Sequence, residues 1–250
     1  MARYDFRTQR LFLTADLAAT QSLGLDKSQS SYLISVLRKK KGDAVLLFNG
    51  RHGEWLGEIA VENKKNCVLT CVEQIRPQTE LGRVDLLFAP LKHARLDYMV
   101  QKAVEMGVAN LRPVMTHHTQ VKRVNVERMR ANVIEAAEQC GVLAVPRVAE
   151  PVSIFSLLDQ WQQTDPERHI IYCDESDLGD NPLLVLQSIA SNDLAVFIGP
   201  EGGFSREERD RLKLRDDVTA IPLGPRILRA DTAAVAALAL VQAVLGDWTL

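Results

Sequence analysis

Residues 198–205 read Ile-Gly-Pro-Glu-Gly-Gly-Phe-Ser, and residues 223–233 read Leu-Gly-Pro-Arg-Ile-Leu-Arg-Ala-Asp-Thr-Ala. Each stretch follows a short apolar run, over 195–198 and 219–223, and each feeds a helical pattern. Ser205 and Glu208 have the spacing of a capping box, and Asp231 or Thr232 is placed to cap an alanine-rich helix over 233–245. Glycine at such positions lets a backbone approach a ligand closely, and open α/β sheets bind ligands beyond the carboxyl ends of their strands. The first loop is neither a G-x-G-x-x-G fingerprint nor a P-loop, because the Lys-Ser/Thr pair is missing. Two Gly-Pro loops at successive strand ends, with Arg226, Arg229, Glu201 and Asp231 distributed over them, predict one shared cleft.

Outward from these loops, strands and helices alternate. Residues 84–89 form a near-continuous apolar run, as expected of a strand covered on both faces. A helix over 95–106, a strand near 111–114, a helix over 126–140 and a strand over 170–173 follow. This order predicts an α/β domain with a mainly parallel sheet over residues 77–250. Residues 1–76 differ. Short β-like segments at 10–13, 44–48, 54–60 and 68–72 are separated by turns such as Asn49-Gly50, with one helix over 29–38. They predict a small β-rich module, joined to the second by a linker at 76–79.

Composition narrows the function. The chain has 250 residues, 46% hydrophobic and 25% charged, which excludes a disordered or collagen-like chain. The first ten residues lack the apolar core of a signal peptide, and the longest apolar stretch, 233–241, is too short to cross a bilayer. A soluble cytoplasmic protein is expected. Four cysteines form no CxxC pair, and His117-His118 are read as surface histidines with diverging side chains. No disulfide and no metal site are expected. The net charge of −2 conceals a gradient: +4 over residues 1–76, +2 over 77–150 and −8 over 151–250. A nucleic-acid partner would therefore be held locally by the N-terminal two-thirds, where Arg38, Lys39, Lys40 and Lys41 form the strongest cluster. A solvated turn explains the same cluster without a partner.

The two loops resemble the signature of the SPOUT methyltransferases, and more specifically of the RsmE family of 16S ribosomal RNA uracil-N3 methyltransferases. Other segments agree in order. Lys92, then Gln101-Lys102-Ala103 and Glu105-Met106-Gly107-Val108, are similar to one family helix. Glu138-Gln139-Cys140-Gly141 followed by Pro146 resembles a second element. Arg10-Leu11-Phe12-Leu13 and Val36-Leu37-Arg38 with Gly42-Asp43 are similar to its PUA-like RNA-binding domain. The chain departs from the family at Val142, where arginine is usual, at Met106, and at His118-Thr119-Gln120.

The resemblance implies a PUA-like domain over 1–76 and a SPOUT domain over 77–250, its C-terminal chain tied in a trefoil knot. It implies S-adenosylmethionine as cofactor, held by Leu91, by Ile198, Gly199, Pro200, Glu201, Gly202 and Gly203, and by Leu223, Gly224, Pro225 and Leu228. It implies a homodimer and a partner in 16S ribosomal RNA or the small ribosomal subunit, with Arg10, Arg38, Lys39, Lys40, Lys41, Lys92 and Arg95 as RNA contacts. No metal is implied. Uracil N3 becomes nucleophilic only as its proton leaves, so the site needs a cation or donors for the uracilate. Arg229 is the candidate for that role, or else a brace for its loop, with Glu201 and Asp231 as candidate bases or partners of Arg229. Competing readings are a catalytically silent RNA-binding protein, a SPOUT enzyme acting on another base, and a dehydrogenase, which the missing dinucleotide fingerprint disfavours.

Overall fold

The computed structural model describes residues 8–174 and 181–249. The chain divides into two units, Met1–Glu80 with Ala137–Val145, and Leu81–Ala136 with Pro146–Leu250.

In the first unit the elements run β1 (Arg10–Phe12), β2 (Ser22–Gly24), α1 (Lys27–Ser31), a π-helical turn (Tyr32–Val36), β3 (Ala44–Phe48), β4 (Glu54–Val61) and β5 (Val68–Arg76). They form one sheet in the order β1-β3-β4-β5-β2, antiparallel except that β1 runs parallel to β3. Its core gathers Leu33, Val45, Leu47, Ile59 and Leu69, all but inaccessible to solvent. The helix expected over 29–38 starts earlier, because Asp26 forms a capping box with Gln29. It then widens into the π-helical turn and ends at Val36, capped by Leu37, before Arg38, which has a left-handed backbone with φ +56°. Arg76, expected in the linker, is the last residue of β5.

Arg10 departs from the reading as an RNA contact. It is only 3% exposed. Its Nε donates to Glu54 Oε1 at 2.6 Å, and its other nitrogens donate to the backbone carbonyls of Ala137, Glu138 and Val142. Its guanidinium lies 4.2 Å from the centre of the Phe48 ring. Carbonyls at a helix C-terminus lack partners and carry the negative end of the helix dipole, so a buried guanidinium satisfies both demands there. A phosphate cannot reach it. Glu54, 1% exposed, also pairs with Arg76 Nε at 2.8 Å.

The second unit runs β6 (Val84–Phe88), α2 (His93–Glu105), β7 (Asn110–Met115), α3 (Val126–Cys140, its last residues in the first unit), β8 (Arg147–Val148), β9 (Val152–Ser153) and α4 (Ile154–Thr164). It continues through β10 (Arg168–Cys173), α5 (Pro182–Gln187), β11 (Asp193–Ile198), α6 (Arg206–Lys213), β12 (Val218–Ile221) and α7 (Ala230–Val244), ending in a 3₁₀ turn, Asp247–Thr249. The strands pair in the order β12-β10-β11-β6-β7-β8, with β9 beside β7, and every pair is parallel. Parallel strands covered by helices need apolar residues on both faces, and β6 is buried along its whole length.

One polar residue interrupts β6. Asp85 is 1% exposed, and burial pushes its carboxyl up, opposed by Arg168, by the Asn110 amide at 2.6 Å and by Arg112. Helix α4 was not anticipated, although Ile154, Leu157, Leu158 and Trp161 fall on one helical face. The last helix also differs from expectation. It starts at Ala230 with Arg229 at the cap position, and Asp231 sits inside the first turn with its carboxylate accepting the Thr232 N–H. A carboxylate there still meets the positive end of the helix dipole.

Candidate functional site

The strand order brings three loop-bearing strand ends together. Strand β10 lies between β12 and β11, with Cys173 opposite Ile221 and Tyr172 opposite Phe197. The loops leaving β11 and β12 and the residues ending β10 therefore emerge side by side, at the edge where parallel sheets bind ligands. They enclose a cavity of 550 Å³, within the roughly 300–1,000 Å³ typical of small-molecule sites.

Residues 198–204 form one wall and residues 222–230 another. All the expected cofactor residues of these two loops line the cavity. Leu91 does not: it is buried just beyond β6. Cys173, Asp174, Phe204 and Arg95 also line it and were not read as cofactor contacts. The strand ending at 173 was legible, and its carboxyl end was the signal that could have found the first two. Asp174 is 4% exposed, with Lys213 Nζ 4.0 Å from its carboxylate. Burial pushes the Cys173 thiol up to about 12, so it stays protonated at neutral pH.

The first loop is braced from behind. A Cβ on Gly199 would stand 2.9 Å from the Phe204 ring. That ring is itself packed edge-on against Phe197 and Tyr172. Glu208 is fully buried and accepts the backbone N–H groups of Ser205 and His117, each at 2.7 Å. The His118 ring meets the Gly203 carbonyl at 3.0 Å. His117 and His118 are exposed as expected, but their rings do not diverge; they touch edge-on, 4.8 Å between centroids.

The charges arrange themselves differently from expectation. Glu201 is ion-paired with Arg95 of α2, and Asp231 is engaged with its own helix, so neither carboxylate orients Arg229. Arg226 and Arg229 are exposed, and neither makes an ion pair among the described residues. Lys92 is exposed at the cap of α2. In the first unit Arg38, Lys40 and Lys41 are exposed, whereas Lys39 donates to the Ala44 carbonyl at 3.2 Å. Glu62 lies 3.6 Å from the Lys40 ammonium and accepts the Lys41 N–H. No cluster of metal-binding side chains occurs among the described residues, and no helix there is long and apolar enough to cross a membrane.

A family model described as an RNA methyltransferase domain matches residues 77–242, and one described as an RNA methyltransferase PUA domain matches residues 25–70. The chain belongs to this RNA methyltransferase family. Ribosomal RNA small subunit methyltransferase E of Rickettsia conorii is 32% identical over 93% of this chain and 94% of its own. Among solved structures, the methyltransferase E of Neisseria gonorrhoeae bound to S-adenosyl methionine is 26% identical, with a TM-score of 0.84 over 97% of this chain and all of its own. A putative methyltransferase of Legionella pneumophila, in complex with the same cofactor, is 29% identical, with a TM-score of 0.81 over 96% of this chain and 99% of its own. The architecture of the second unit is the SPOUT α/β fold of these RNA methyltransferases, preceded by a β-rich PUA domain.

Proposed function

We propose that this chain methylates N3 of a uridine in the 16S ribosomal RNA of the small subunit, in the cytoplasm, as a homodimer with S-adenosylmethionine as cofactor. The observation that carries the reading is the single cavity lined by both Gly-Pro loops. The residues present fit the cofactor. Gly199 lets the loop backbone lie against the Phe204 ring, which a Cβ would meet at 2.9 Å, and Gly203 and Gly224 adopt φ of +69° and +87° that side chains disfavour. The backbone of 199–203 and 223–228 would hold it, and the trefoil knot implied by the family would make the two loops one rigid cradle. When bound, the cofactor supplies a methyl group on a sulfonium.

The chain's own work is positioning and electrostatics. Arg229 lines the cavity free of a carboxylate partner among the described residues, so its charge is available to a developing uracilate. Glu201 is committed to the Arg95 guanidinium and Asp231 to the Thr232 N–H of its own helix, so neither carboxylate is assigned the N3 proton. The contribution at N3 is therefore to ease loss of the proton. Arg38, Lys40, Lys41 and Lys92 are exposed cations suited to phosphates. Val235, Ala236, Ala239 and Leu240 leave a half-buried apolar face on α7 that suits a second copy of the chain. Mass-spectrometric mapping of 16S ribosomal RNA with and without the gene tests the reading. Loss of one N3-methyluridine, restored by the wild-type gene, is expected; an unchanged methylation map refutes it.

A further inference from the structure

The second loop carries an apolar side chain that the core does not use. Ile227 is 89% exposed, yet it belongs to the residues lining the cofactor cavity. Single exposed apolar residues are ordinary on a protein surface. Leu214, 82% exposed at the end of α6, is one such case and lies outside the cavity. Ile227 differs by position. It stands at the mouth of the site, beside Arg226 and two residues from Arg229, both exposed cations without an ion pair among the described residues. Pro225 restricts the loop that presents it, and a β-branched side chain is itself stiff.

The atom to be methylated sets the requirement. N3 lies on the Watson–Crick edge of uracil, which base pairing and stacking hide, so the nucleotide must be turned out of its strand. Apolar side chains inserted at a base step do this elsewhere, with basic side chains on the adjoining phosphates. We infer that Ile227 is the wedge that keeps the target uridine out of its stack, and that Arg226 holds the phosphate next to it. The inference rests on the uridine-N3 reading above. The occupant of this mouth is an RNA strand, because the unpaired charges beside the isoleucine are both positive.

The test uses the full-length protein and small ribosomal subunits from cells lacking the gene, comparing wild type with Ile227→Ala, Ile227→Leu and Arg226→Ala. Ile227→Ala is expected to lower the single-turnover rate at saturating subunits and cofactor about tenfold or more, as the lost help with unstacking requires. Its cofactor affinity by calorimetry and its oligomeric state by light scattering should match wild type. Ile227→Leu, which keeps the volume, should recover most of the rate. Arg226→Ala should weaken subunit binding and reduce the salt slope by about one. An Ile227→Ala enzyme at full rate overturns the wedge. So does one that has become monomeric, which assigns Ile227 to the contact between copies, or one that has lost cofactor affinity, which assigns it to the cavity wall. A wild-type enzyme that leaves N3 of the subunit uridines unmethylated is a different result: it removes the functional reading and the wedge with it.

Discussion

Replacing Arg10 with alanine separates a structural arginine from a nucleic-acid contact. The change removes the 2.6 Å bond to Glu54 and the donors to three carbonyls, and leaves Glu54, 1% exposed, with Arg76 as its remaining ion-pair partner. Breaking a buried pair from one side costs about 3–5 kcal/mol, because the other charge stays behind. Arg76, at 2.8 Å but 26% exposed, offsets part of that. The carbonyls lose about 1 kcal/mol each, and these terms overlap rather than add. A loss of about 3–5 kcal/mol is expected in all, which for a chain of this size lowers Tm by about 6–20 °C. Thermal unfolding followed by circular dichroism, with hydrogen exchange at the amides of β3 and β4, measures it. Lysine should rescue little, since it lacks the planar fork. The double variant Arg10→Met with Glu54→Leu should recover most of the loss. The salt slope of RNA binding by the folded variant should equal that of wild type. An Arg10→Ala protein within about 0.5 kcal/mol of wild type, whose salt slope has fallen by about one, would refute the structural assignment.

The other expectations concern the cavity and the basic run. Gly199→Ala should weaken cofactor binding in calorimetry by forcing the Phe204 ring to shift, whereas Gly224→Ala meets open space and should cost only the backbone strain of its positive φ, about 1–2 kcal/mol. Arg229→Ala should lower kcat strongly with cofactor affinity nearly unchanged, and lysine should recover part of it; weakened cofactor binding with unchanged chemistry at saturation would make Arg229 a loop brace. Neutralising residues 39–41 should weaken RNA binding and flatten its salt dependence while leaving cofactor binding alone, and an unchanged slope would reduce the run to a turn.

Much of this was legible because glycine and proline at strand ends have few structural explanations. The loops at 198–205 and 223–233 could be assigned to one cleft from their positions alone. What sequence could not supply was strand order: β10 sits between β12 and β11, which is why Cys173 and Asp174, distant in sequence from either loop, join the cavity. Side-chain pairing was equally hidden. Glu201 and Arg95 are 106 positions apart, and only folding decides that this carboxylate meets α2 rather than Arg229. Helix α4 was missed for a different reason. Its apolar residues fall at helical spacing, and that periodicity was there to be read. The cap of α7 was misassigned because Asp231 can serve a helix N-terminus from the first turn as well as from the cap.

Formal charge counts misjudge the RNA-binding surface, and burial says by how much. The +4 of residues 1–76 includes Arg10 and Arg76, both paired with the buried Glu54. In the second unit Arg112 and Arg168 are likewise committed to Asp85 and Asp165. Guanidiniums matched to buried carboxylates release no counterions when RNA arrives, so they add nothing to its salt dependence. Among the described residues of the first unit, the cations left to act on phosphates are the exposed members of the 38–41 run and the exposed Lys27, Lys64 and Lys65. Around the cavity the same accounting leaves Arg226 and Arg229 uncommitted, while Arg95 is half neutralised by an exposed Glu201 that a phosphate can displace. An exposed ion pair is worth little in water. Arg95 can therefore serve RNA at small cost, whereas Arg10 cannot serve it at all, although both were read from sequence as RNA contacts.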